Sequence, residues 1–165
     1  MLLSSRITFL GEIMPIHCDI VTQEKTVFSA DVDAVNLPGS EGRMGVLPNH
    51  TPLLTTLGFG EVIVRTAGQE EFFAIGGGLA EIQPHKVVIL ADSAEHVEEI
   101  DIRRAEEARE RALKLMEEGV PEDPERYAQI RASLQRAQIR IDVARRRRHR
   151  AMPTGAYPSQ QESEE

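Results

Sequence analysis

Four arginines pose the chemical question in this 165-residue chain. Arg104 and Arg111 stand seven residues apart in the stretch EEIDIRRAEEARER, which spans 98–111, and Arg136 and Arg140 stand four apart further on. On a helix of about 3.6 residues per turn, each pair shares a face. Guanidinium groups brought together by folding repel one another unless an anion lies between them. A triphosphate accepts their forked donors well, so the chemistry would be recognition of a nucleotide's phosphates. The competing reading is a charged helix washed by solvent. In that reading Asp101 is an N-cap, Ile100 a staple residue and Ala105 a seam residue. Those roles leave Arg111, Arg136 and Arg140 without a reason to occur together.

Catalytic patterns are missing from the sequence. There is no G-x-x-x-x-G-K-[ST] loop, no G-x-S-x-G and no Cys–His pairing. His17, His50, His85, His96 and His149 are scattered, without the spacing of metal ligands. Gly76-Gly77-Gly78 lies between two strand patterns and opens no helix, so it reads as a bulge or a close backbone approach. The expectation is a protein that is not an enzyme, with no metal and no cofactor, and with nucleotide read but not hydrolysed.

Several elements must position the arginines. From Ile16 to about Leu90 short alternating runs (HCDIVT, VDAVNL, EVIVRT, EEFFAIGGG, LAEIQ, KVVILAD) are separated by turn signals at 37–40, 47–50, 66–69 and 83–85. Many short strands with Gly and Pro turns predict a β-sandwich or barrel. Ile16, Cys18 and Ile20 share one face, as do Val32, Ala34 and Asn36, with Val35 and Leu37 nearer the other. After Asp92 the period changes. Ile102, Ala105, Ala108, Ala112 and Leu115 fall at helical spacing, and Gly119 and Pro121 end that helix. Asp123 and Pro124 start a second helix, along which Tyr127, Ile130, Leu134, Ala137, Ile141 and Ala144 form a seam for one neighbour. A short turn makes the pair an antiparallel hairpin. The predicted organisation is a β domain over 14–98 and a helical hairpin over 99–150. Residues 1–13 read as disordered or a misplaced start, and 151–165 as a disordered tail.

Charge is spread unevenly. The net charge is −8, yet residues 131–150 hold eight arginines against Asp142, while residues 1–130 carry 23 acidic and 11 basic groups. Such a basic segment suits an acidic partner or an anion. No apolar run approaches the roughly 20 residues that cross a bilayer. Cys18 is the only cysteine, which rules out an internal disulfide and fits a reducing compartment.

Three blocks now bear on family. VDAVNLPGSEGRMGVLPNHTPLLTTLGFGEVIV, GGGLAEIQPHKVVILADSAE and EEIDIRRAEEARERA follow in unbroken order. From Met14 to about Arg146 the chain resembles the epsilon subunit of the bacterial F-type ATP synthase. The resemblance implies an α+β fold: a flattened antiparallel β-sandwich of about ten short strands, followed by a two-helix antiparallel hairpin. It implies a noncatalytic rotor-stalk subunit, peripheral on the cytoplasmic face of the cell membrane without inserting into it. The sandwich would bind the gamma subunit and the c-ring, and an extended hairpin would inhibit ATP hydrolysis. Glu41 and His50, in the turns at 39–42 and 47–50, would face the c-ring. Arg43 stands where many members have a carboxylate, and Asn49 where many have Gly.

The same resemblance implies further roles for the arginines. Arg131, Arg145, Arg146, Arg147 and Arg148 would dock on acidic segments of the beta subunits. ATP would be a regulatory ligand of the folded-down hairpin, held by Glu95, Ile100, Asp101, Arg104, Ala105, Arg111, Arg136 and Arg140. Asp101 or Glu95 would accept from the adenine amino group. The reading from another class is a free-standing nucleotide or nucleic-acid binding module using the basic helix. The lack of tryptophan and the presence of only two tyrosines count against nucleic acid.

Overall fold

The computed structural model describes residues 14–119 and 123–151. The expectations for residues 1–13, for Pro121 and for the tail from 152 lie outside the described residues, as does the side chain of Arg150. Eight strands come first: β1 (Ile16–Val21), β2 (Thr26–Val32), β3 (Ala34–Gly39), β4 (Gly42–Val46), β5 (Leu53–Thr66), β6 (Gln69–Gln83), β7 (Lys86–Ala91) and β8 (Ala94–His96). A single 3₁₀ turn at Val97–Glu99 leads to α1 (Ile102–Glu117) and α2 (Pro124–Ala151). The strands form one sheet in the order β2-β1-β7-β6-β5-β3-β4, with β8 beside β6.

The sandwich and hairpin stand as expected, with two differences. Eight described strands replace about ten, because EEFFAIGGG and LAEIQ are one strand, β6, and LLTTLGFG is continuous with EVIVRT in β5. The sheet is also mixed, since β1 runs parallel to β7 and antiparallel to β2.

Two long strands turn one sheet into two layers. In β6 the core-facing residues are Phe73 and Ile75 before the glycine run, but Ala80 and Ile82 after it. The inward face thus changes from odd to even positions. β5 changes in step, from Leu57 to Val62 and Val64. The ladder pairs Leu57 with Gly78 and Phe59 with Gly76 and skips Gly58 and Gly77 between them. The register is unchanged across that gap, so both strands kink together and no extra residue is inserted. Gly77 and Gly78 have φ of 99° and 134°, and a Cβ on Gly78 would overlap the Leu90 carbonyl. The close-approach reading of the glycine run therefore holds, and the bulge reading does not.

The layers close over an interior of aliphatic side chains. Ile16, Cys18, Ile20, Val35, Val62, Ile75 and Ile89 are all fully buried. Phe28 of β2 meets Phe73 of β6 edge-on, with ring centroids 5.3 Å apart. Burial of Cys18 pushes its thiol up to about 12, which leaves it a small apolar residue without nucleophilic character.

The hairpin lies against the outer face of the sheet. The Asp101 carboxylate accepts from the Arg104 N–H at 3.1 Å and caps α1, and Asp123 accepts from the Glu125 N–H at 3.0 Å to start α2. Gly119, at φ 126°, follows the end of α1. Ala105 and Ala112 of α1 and Ile130, Ala137 and Ile141 of α2 are buried, and the two helices pack on each other. Leu115, expected in that seam, is 43% exposed instead. α2 has a second buried face that the heptad-like reading missed. Val143, fully buried, packs with Ala144 on Ile63 and Phe72 of the sheet, and Ile139 packs beside them.

Candidate functional site

Where α1 starts, the hairpin meets the sheet and two clefts open side by side. The first, about 270 Å³, is lined by Glu95, Ile100, Asp101, Arg104, Ala105 and Arg111 together with Arg140 from α2. The second, about 210 Å³, is lined by Gly76, Ser93, Ile139 and Arg136. Glu95 and Arg140 belong to both. All eight residues singled out from the sequence for nucleotide binding thus line one of two adjoining spaces. Helix periodicity brings this about. Arg104 and Arg111 are two turns apart on α1, and Arg136 and Arg140 one turn apart on the facing helix.

The electrostatics differ from the expectation of bare guanidinium groups around a void. Glu95, Glu99, Asp101 and Glu107 line the first cleft beside its three arginines. The chain's own carboxylates relieve the repulsion. Glu95 Oε2 lies 2.5 Å from Arg140 Nη2, an ion pair by distance whose angle falls outside hydrogen-bonding geometry. Arg104, Arg111 and Arg136 form no ion pair with a described residue. Asp101 is engaged as the N-cap, Ile100 packs on the sheet–hairpin cluster and Ala105 is 2% exposed. These three motif positions have structural duties in the fold itself.

Gly76 sets the depth of the second cleft. A Cβ there would overlap the Ser93 hydroxyl and lie 3.1 Å from Arg136 Cγ. The missing side chain lets α2 lie close enough for Arg136 to face the sheet.

The basic end of α2 is paired within the chain. Arg145 donates to Glu106 of α1 at 2.7 Å, Arg146 lies 3.5 Å from Glu61 of β5, and Arg147 sits over the Phe72 ring at 5.4 Å. Arg131 lies over Tyr127 of its own helix at 5.9 Å, while Arg148 is exposed. The sequence reading missed Glu61, Glu106 and Phe72 as partners. An acidic residue between the apolar stretches of LGFGEVIV was the available signal for Glu61.

The two turns assigned to a ring contact are anchored by backbone hydrogen bonds, one to β5 and the other to the β6–β7 turn. Ser40 N–H donates to the Thr56 carbonyl at 3.1 Å, and Asn49 N–H to the Pro84 carbonyl at 2.7 Å beside the Leu53–Ile82 pair. Asn49 has φ 64°, a left-handed conformation that Asn tolerates in place of Gly. Glu41 is exposed, and the half-buried His50 donates through Nδ1 to the Thr51 carbonyl at 2.7 Å.

A two-layer β domain carrying a docked helical hairpin with a charged cleft between them defines the class of protein. Family models for the ATP synthase delta/epsilon chain agree: the beta-sandwich domain matches residues 15–97 and the long alpha-helix domain residues 98–145. The ATP synthase epsilon chain of Dehalococcoides mccartyi is 47% identical over 131 residues, 79% of this chain and 92% of that one. That of Herpetosiphon aurantiacus is 45% identical over 137 residues, 83% of this chain and 99% of its own. A chain of the Euglena gracilis mitochondrial ATP synthase shares the fold, at TM-score 0.65 and 24% identity, covering 84% of this chain and 88% of that one. This chain belongs to the ATP synthase delta/epsilon family, among its bacterial epsilon chains.

Proposed function

We propose that this epsilon chain works in the rotor stalk as a coupling subunit and an ATP-gated brake. Its sandwich binds the gamma subunit and presents Glu41 and His50 to the c-ring. The complex lies on the cytoplasmic face of the membrane; no described helix is long and apolar enough to cross one. ATP binds the docked hairpin, and its loss lets the hairpin extend and inhibit hydrolysis. The observation that carries the ATP reading is the convergence of Arg104, Arg111 and Arg140 on one cleft with Arg136 next door.

Chemistry favours a nucleotide over a simple anion there. A triphosphate draws Arg140 off Glu95, and the freed carboxylate then accepts from the adenine amino group. Binding only the docked state shifts the population toward it. Once the hairpin lifts, Arg146 and Arg147 lose their partners on the sheet, and extension that parts α1 from α2 frees Arg145 from Glu106, so that all three become available to acidic segments of the beta subunits. Calorimetric titration of ATP into the full chain, with GTP as control, tests this. The expected result is one saturable ATP site, weaker for GTP, with Arg111→Ala and Arg136→Ala each weakening it about tenfold or more. No heat at millimolar ATP leaves the subunit assignment standing and removes the ATP gate.

A further inference from the structure

Among the described residues Glu61 is the one charged side chain that is buried, at 8% exposure. It stands on β5 facing outward with its neighbour Ile63, under α2. Two arginines converge on the same oxygen, Oε2. Arg43 Nη1 of β4 is 3.7 Å away and Arg146 Nη1 of α2 is 3.5 Å away. With Pro38, Phe59 and Ile139 these three side chains enclose a space of about 300 Å³.

The two cations belong to different bodies. Arg43 is part of the sandwich and stays beside Glu61 whatever the hairpin does. Arg146 arrives and leaves with α2. We infer that Glu61 is an ionic latch for the docked hairpin, with Arg146 as its releasable partner and Arg43 as a resident competitor that keeps the latch weak. The inference rests on the mobile hairpin proposed above.

The sign of each contribution follows from charge alone. Docking brings Arg146 to a carboxylate already paired with Arg43, so attraction to Glu61 is offset by repulsion between two guanidinium groups. Removing Arg43 leaves a single carboxylate facing a single cation, and docking tightens. Removing Glu61 leaves two cations facing each other, and docking loosens. Arg43 lies on β4 two residues past Glu41, in the β3–β4 hairpin assigned to the ring contact. An acidic partner group that draws Arg43 away therefore tightens the latch, which ties the ring-facing end to the state of the hairpin.

Native-state hydrogen exchange on the full chain, read along α2 from 139 to 147 against β1 and β7, tests this. Both arginines are about half exposed, so the effects are modest. Glu61→Gln is expected to raise the opening of α2 by about three- to tenfold and Arg146→Gln by less, with the double variant close to Arg146→Gln because it also removes the Arg43–Arg146 repulsion. Arg43→Gln is expected to lower it about two- to threefold, and high salt to shrink all three effects. Unchanged opening in Glu61→Gln, or looser docking in Arg43→Gln, overturns the latch while leaving a mobile hairpin. If α2 opens only together with the strands in every variant, the mobile hairpin itself is wrong and the latch falls with it.

Discussion

Two buried surfaces of this molecule are built differently. Inside the sandwich, Ile16, Val35, Val62, Ile75 and Ile89 are fully buried, and no charged side chain joins the cluster. Between sheet and hairpin, the buried apolar contact is the smaller cluster of Ile63, Phe72, Ala74, Val97, Val143 and Ala144, with Ile100, Ile102 and Ile139 packed beside it. Around it lie the Arg140–Glu95 and Arg146–Glu61 pairs and the Arg147–Phe72 contact. Hydrophobic burial contributes about 25 cal/mol per Å². Ion pairs with half-exposed arginines add about 0–1 kcal/mol each, and salt weakens them. The first surface is therefore expected to set the global stability, and the second the local equilibrium on which the proposed ligand and partners would act. The proposed brake needs that division: it must lift without the subunit unfolding.

The largest expected effect tests the first surface. Phe73 packs edge-on against Phe28 at 5.3 Å and against His96 at 4.9 Å, and is 1% exposed. Phe73→Ala is expected to cost about 3–5 kcal/mol of global stability, seen as a lower urea midpoint for the strands. A variant in which only α2 loosened would show that the sandwich interior does not set global stability. Val143→Ala addresses the second surface. Losing two methyl groups from a fully buried site is expected to weaken docking by about 1–2 kcal/mol. Hydrogen exchange should then rise in α2 and stay constant in β1 and β7. An equal loss in the strands would make sandwich and hairpin one cooperative unit, with no separate brake.

The two surfaces were unequally legible in the sequence. Strict alternation in HCDIVT placed Ile16, Cys18 and Ile20 inside, because a strand buried on one face leaves a period of two. The hairpin's seam and both N-caps were legible for a similar reason. The docking face was not. Ile139 and Val143 sit one helix face away from the seam, and two adjacent apolar faces on one helix blur the single-face pattern that periodicity detects. The length of β5 and β6 was hidden too. Glycines at 58, 60 and 76–78 mimic the punctuation of turns, whereas they serve a kink and a close helix approach. The residues that line the two clefts were legible as a set, and their nucleotide role is the proposal made above. The carboxylates Glu99 and Glu107 that share the first cleft were not legible, because only folding brings them to the arginines.

Acidity offers a smaller effect that separates the surfaces. His17 Nδ1 lies 2.7 Å from Asp31 and Nε2 3.2 Å from Asp19, so the Asp31 hydrogen bond and both negative charges raise the His17 pKa above 6.5. This contribution is full below pH 6.5 and is lost as pH rises through the higher folded value. Asp19 accepts from Ser29 at 2.7 Å and pairs with Lys86 at 2.9 Å, which lowers its pKa below 3.8. That contribution is present above pH 3.8 and is lost as pH falls through the lower folded value. The β1–β2–β7 surface is therefore best held between those limits. His17→Gln is expected to flatten the decline of strand stability above pH 6.5 while leaving α2 docking unchanged. A matching change in α2 exchange would join the two surfaces electrostatically.

The smallest effect comes from the turn between β5 and β6. Ala67 and Gly68 have φ of 50° and 80°, the left-handed pair of a type I′ hairpin turn, closed by the Thr66–Gln69 pair. Glycine takes that conformation freely. Alanine does not, and the Ala67 N–H is fixed there by the Asp33 carboxylate at 2.7 Å. Asn suits the first position of such a turn. Ala67→Asn is expected to stabilise the sandwich by about 0.5–1 kcal/mol, read as a higher urea midpoint. Because β5 and β6 are the strands both layers share, the gain belongs to global stability, and α2 opening should keep its own rate. Slower opening of α2 in this variant would mean that hairpin release borrows motion from the β5–β6 pair, and the division between fixed sandwich and releasable hairpin would have to be drawn inside the sheet itself.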